Sequence, residues 1–144
     1  MKKVLIALML LLSCTIVNAK TEYTATSVAC SINGTQWSDW LPMSCLFVLD
    51  QDNKQVRIYS DIDYSTATNT FSVNDTKMQI IDYGDVVTTY GKNAKGYSFR
   101  KETIKGRDSN GAICTMYFFI FNDGDLMFNI SYHDIQYKYM LKRN

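Results

Sequence analysis

Residues 112–141 read AICTMYFFIFNDGDLMFNISYHDIQYKYML. The run 112–121 is apolar at nearly every position and ends at Asn122-Asp123-Gly124-Asp125, where the Asp-Gly pair tolerates the positive φ of a tight turn. Residues 126–132 follow with Leu126, Phe128, Ile130 and Tyr132 on one face. His133-Asp134 turns the chain again, and residues 135–141 place Ile135, Tyr137, Tyr139 and Leu141 on one face with Gln136 and Lys138 opposite. A period of two is the spacing of a strand, not of a helix. Three strands joined by such short turns form a meander, and short turns force antiparallel pairing.

The same grammar extends backwards. Short runs rich in Val, Ile, Thr, Tyr and Phe are separated by Asn, Asp and Gly. Strands are expected at about 21–32, 45–50, 55–60, around Phe71 and Val73, at 77–83, 86–90 and 97–105. Asn33-Gly34, Gln51 to Lys54, Asp82-Tyr83-Gly84-Asp85 and the stretch Gly91 to Gly96 supply the breaks. So many short strands must hide their edges. The reading is therefore a single all-β domain over 20–144. It is expected to be an antiparallel meander closing into a small lipocalin-like or streptavidin-like barrel, with a two-sheet β-sandwich as the alternative.

The first nineteen residues have a different character. Lys2 and Lys3 precede an unbroken apolar run from Val4 to Leu12, and Val17-Asn18-Ala19 offers a small-residue cleavage site before Lys20. This is the pattern of a removable secretory signal, and the run is shorter than the roughly 20 residues of a membrane span. Leu11-Leu12-Ser13-Cys14 also resembles a bacterial lipobox, so lipidation at Cys14 is the alternative, which would tether the domain to a membrane. The expected location is periplasmic or extracellular.

Without Lys2 and Lys3 the formal charge falls from +1 to −1. Such a chain lacks the basic footprint of a nucleic-acid binder. Cys30, Cys45 and Cys114 remain, and an oxidising compartment suggests one disulfide and one leftover thiol. Cys30–Cys45 is the favoured pair of three possible pairings. No Cys-x-x-Cys occurs, and nothing calls for a metal or a cofactor.

Catalytic signals are sparse. His133 is the sole histidine, in a turn beside Asp134, and no Gly-x-Ser-x-Gly elbow exists. Asp50, Asp52 and Asn53, and then Asp61 and Asp63, alternate as calcium loops do, but Lys54 falls where a further ligand is needed. They read as polar turns. The binding candidates are aromatic. Trp37-Ser38-Asp39-Trp40 could stack on a sugar or anchor a protein, or else cover the core. The face carrying Tyr117, Phe119 and Phe121 could line a ligand cavity or simply pack.

Trp37-Ser38-Asp39-Trp40, Phe47-Val48-Leu49-Asp50 and Val56-Arg57-Ile58-Tyr59-Ser60 together resemble small exported β-rich proteins of gut Bacteroides-type bacteria. The resemblance implies a bacterial envelope setting and carries no activity. The expectation is a non-enzymatic exported binding module whose partner is a small apolar molecule, a glycan or a protein. The alternatives are an inhibitor of a secreted hydrolase such as a lysozyme, inserting the loop Trp37 to Ser44, and a hydrolase using carboxylates.

Overall fold

The computed structural model describes residues 20–144; the expected signal, 1–19, and Cys14 within it lie outside the described residues. Eleven strands follow one another: β1 (Lys20–Ile32), β2 (Gln36–Trp37), β3 (Leu41–Asp50), β4 (Gln55–Ile58), β5 (Asp61–Ser65), β6 (Thr70–Asn74), β7 (Gln79–Lys92), β8 (Ser98–Asp108), β9 (Ile113–Phe121), β10 (Leu126–Ser131) and β11 (Ile135–Arg143). The main sheet runs β11-β10-β9-β8-β7-β4-β3-β1, and β1 pairs back onto β11, closing an antiparallel ring of eight strands. The barrel forms and the sandwich does not. β2 adds a short stub to β1, and β5–β6 is a separate hairpin.

Closure needs one strand long enough to serve two neighbours. β1 does this, pairing with β3 over Lys20–Val28 and with β11 over Tyr23–Ile32, and it bends at a bulge between Ala25 and Ser27. Pro42 on β3 sits opposite Ser27 at that bulge, where the missing N–H is tolerated. The expected break at 82–85 is also a bulge. Residues on both sides pair with β8, so 77–83 and 86–90 belong to one strand.

Alternation drives one set of side chains inwards: Val28 and Cys30 on β1, Phe47 on β3, Val56 and Ile58 on β4, Ile81 on β7, Ile104 on β8, Met116 and Phe118 on β9, Phe128 and Ile130 on β10, Tyr139 on β11. Four rings meet edge-on across the axis: Tyr23 with Phe47 at 6.2 Å and with Phe118 at 5.6 Å, and Phe47 with Phe128 at 4.7 Å. An eight-stranded barrel is just wide enough to be filled by side chains, and this one is filled. Gly106 is small because a Cβ there would meet Ile81, Met116 and the Asp82 carbonyl at 2.8–2.9 Å. The phenol of Tyr139 is wholly buried and accepts a 3.0 Å bond from Gln79 Nε2. The β5–β6 hairpin packs on the barrel, placing Ile62 in the core with Phe71 and Val73 against it.

The outside carries charge. Glu22, Val48 and Arg57 share a transverse row, and Lys101, Lys105, Lys138 and Lys142 face outwards on β8 and β11. A membrane-spanning barrel has the reverse polarity, apolar outside and polar within. Among the described residues no helix is long and apolar enough to cross a membrane.

The expected Cys30–Cys45 disulfide is not formed; Cys30, Cys45 and Cys114 are buried free thiols. The register explains it. Cys45 lies opposite Ala25, five residues along β1 from Cys30. At the rise of a strand that is about 15 Å, well beyond the roughly 7 Å that a disulfide spans.

Candidate functional site

On β9, Cys114, Met116, Phe118 and Ile120 point into the barrel, so Tyr117, Phe119 and Phe121 point out. They do not line an internal cavity. Their rings form a file along the strand, 6.4 Å from Tyr117 to Phe119 and 6.2 Å from Phe119 to Phe121, the second pair stacked at 14°. Phe99 on β8 meets Phe119 and Phe121 edge-on at 5.6 and 5.7 Å. Lys101 holds its ammonium 4.6 Å from the Tyr117 centroid and 5.6 Å from that of Phe119. A cation over a ring face is favourable by about 0.5–1 kcal/mol at exposed sites, which holds this file in order.

Register extends the file across the barrel. Thr103, Tyr117, Asn129 and Lys138 stand side by side on β8, β9, β10 and β11, and Lys101, Phe119, Met127 and Met140 form the adjoining row. Lys138 places its ammonium 3.9 Å from the Trp37 ring centroid. Tyr117, Phe119, Phe121 and Trp37 therefore belong to one outer band, with Asn129 between Tyr117 and Lys138. Asn129 Oδ1 is buried with no hydrogen-bond partner. A buried acceptor without a donor costs about 1–3 kcal/mol, so such an atom calls for a reason.

Trp37 is fixed from below. It pairs with Ser31, a buried residue of β1, and Ser38 Oγ accepts a 3.0 Å bond from the Cys30 amide. Trp40 stands apart, half exposed in the connection to β3. Sequence reasoning missed Phe99, Lys101, Asn129 and Lys138. Alternation on β8 marks Phe99 as a face residue, but only register shows which neighbours share that face.

Among the described residues several clefts open at the surface. One of about 400 Å³ lies between the β2 loop and β6, lined by Trp37, Leu41 and Phe71. A second of about 310 Å³ gathers Asp61, Asp108, Asp134, Tyr132 and Tyr137. Here Asp108 is committed to structure: Oδ1 accepts from the Asn110 and Ala112 amides and Oδ2 from the Tyr132 hydroxyl at 3.1 Å. Burial raises the Asp61 carboxyl above its ordinary value, opposed by the amide of Ile62. A third, about 660 Å³, lies on β7–β9, between Tyr90, Arg100, Ile120 and Phe121.

Elsewhere the singled-out polar groups serve the scaffold, and Asp61 and Asp63 do so in a strand rather than in the expected turn. Asp50 is fully buried, takes the Asn53 amide and side chain at 3.1 and 2.9 Å, and has Lys20 and Arg57 at 3.7 and 3.9 Å. The Asn53 side chain foremost holds its carboxyl below the ordinary range, against the cost of burial. Asp61 and Asp63 lie in a strand, β5, and Asp63 pairs with Lys77 at 2.9 Å. Among the described residues no group of three or more His, Cys, Asp or Glu could hold a metal ion. His133 is exposed in the β10–β11 turn. No family model, curated protein or solved structure matches the chain.

Proposed function

We propose that the protein is an exported glycan-binding module of the bacterial envelope, and that the outer band of β8–β11 is its site. The observation that carries this reading is the outward-facing aromatic file of Tyr117, Phe119 and Phe121, flanked by the ammonium groups of Lys101 and Lys138. A sugar ring presents an apolar C–H face and a rim of hydroxyls. The rings of Tyr117, Phe119 and Phe121 suit the face, and the ammonium groups of Lys101 and Lys138 suit the oxygens of the rim. The filled barrel axis leaves no interior for a small apolar molecule.

The test is a glycan array probed with the purified protein, followed by titration calorimetry on any hit. Binding by the wild type, weakened about tenfold or more in Tyr117→Ala with an unchanged far-ultraviolet spectrum, supports the reading. No retained glycan, or equal binding by the variant, rejects it.

A further inference from the structure

β7 is longer than its outer neighbour. β4 pairs only with Gln79–Asp82, whereas β8 follows β7 out to Lys92. Beyond the bulge, Val86 to Lys92 therefore has a strand on one side and, among the described residues, none on the other. Every residue from Gly84 to Tyr90 is exposed, including Val87 at 59% and Tyr90 at 79%. A free edge of β-branched and aromatic residues is a template for another strand, and proteins usually blunt such edges with charge or proline. From Val86 to Gly91 this edge has neither.

The ladder shows which groups are free. The Asn93 amide bonds the Tyr97 carbonyl at 2.9 Å, so Asn93–Tyr97 is a hydrogen-bonded pair. Antiparallel pairs alternate, so Gly91, Thr89 and Val87 also spend their backbone groups on β8. Val86, Thr88, Tyr90 and Lys92 turn theirs to the open edge.

We infer that this edge pairs with the same edge of a second copy, antiparallel about a two-fold axis at Thr88. A two-fold axis normal to the sheet keeps faces together, so residues whose numbers sum to an even value oppose one another. Centred on Thr88, Val86 faces Tyr90 of the other copy, Thr88 faces Thr88, and Val87 faces Thr89. All are branched or aromatic cross-strand pairs of the favourable kind. The outward groups of Val86, Thr88 and Tyr90 from both copies then satisfy one another in about six inter-chain backbone bonds. Charge selects the same direction. In this register Asp85 falls opposite Gly91 and Lys92 opposite Gly84, so no charge meets a like charge, whereas an in-register parallel pair would set Asp85 against Asp85 and Lys92 against Lys92. The sequence Val86-Val87-Thr88-Thr89-Tyr90 is thus complementary to itself, which singles out a second copy over an unrelated strand.

The register predicts a charge-swap result. In sedimentation velocity over a concentration series the wild type should move from monomer to dimer. Thr88→Lys and Thr88→Glu each place like charges face to face on the axis and should stay monomeric at concentrations where the wild type dimerises. Mixed in equal amounts, the two variants should recover the dimer mass. Thermal melts confirm that each variant is folded, and the exposed position makes that the expected result. A wild type that remains monomeric at millimolar concentration overturns the inference and leaves the edge to an extended segment of another protein. A dimer that both single variants preserve overturns it too.

Discussion

Phe47 on β3 and Phe128 on β10 meet edge-on across the barrel axis with ring centroids 4.7 Å apart, although their strands are not neighbours in the sheet. Both are essentially inaccessible, and Phe128 also touches Phe118 at 6.1 Å. This contact locks opposite walls together. Phe128→Ala should therefore cost about 3–5 kcal/mol, the usual cost of emptying a large buried aromatic position. Urea denaturation checks this, and a loss under about 1 kcal/mol would show that the axis is loosely packed.

The second prediction concerns the thiols. Burial pushes Cys30 up to about 12 and both Cys45 and Cys114 up to about 11. The thiolate is the reactive form, so all three should be inert at neutral pH while the fold holds. In a preparation spanning residues 20–144, a thiol reagent such as dithionitrobenzoate should release no colour from native protein and count three thiols in guanidinium. Fewer than three in the denatured sample would reveal a disulfide.

Acid should act through Asp50. Its folded carboxyl is held below the ordinary value, chiefly by the Asn53 side chain, so the folded state binds its proton more weakly than the unfolded chain does. That contribution is complete above the unfolded value of about 3.9 and is lost as pH falls through the folded one. Asp61 has the opposite sign: burial raises it, so ionising it on the way to neutral pH works against the fold. Stability curves against pH should show Asp50→Asn weaker than wild type at pH 7 and converging with it in strong acid. Asp61→Asn should gain on wild type as pH rises above about 4, since the amide can keep the bond to the Ile62 N–H. Parallel curves for either variant would contradict this assignment.

Much of this architecture is legible in the residues alone. Alternation marks β10 and β11, and Asp123-Gly124 marks the turn before them, with Gly124 at φ 94°. β9 resists the same reading, because both of its faces are apolar and nothing local says which one fills the barrel. The answer lies in the available diameter. β5 is hidden because Asp61 and Asp63 mimic a polar loop, while its strand character comes from pairing with β6. β7 looks broken at Gly84-Asp85 because a bulge and a turn use the same residue types. The outer band is only half legible. Tyr117, Phe119 and Phe121 stand out by spacing, but Asn129 and Lys138 join them only through cross-strand register, which no short window of sequence contains.

Asn129 separates binding from stability. Its Oδ1 is shielded and unpartnered, so the fold pays for an acceptor it does not use. Asn129→Leu has nearly the same shape and removes that group, and should stabilise the protein by about 1 kcal/mol. For a domain of this size that is a rise of roughly 3–6 °C in Tm. The shielded oxygen is out of reach of a bound sugar, so glycan affinity should stay within about twofold of wild type while the melt improves. A structural role for Asn129 would lower the melt instead, and a loss of affinity with an unchanged melt would place the side chain in the site. Calorimetric melts and binding titrations on one preparation distinguish the two, and an Asn129→Leu variant that melts lower than wild type would return this residue to the scaffold.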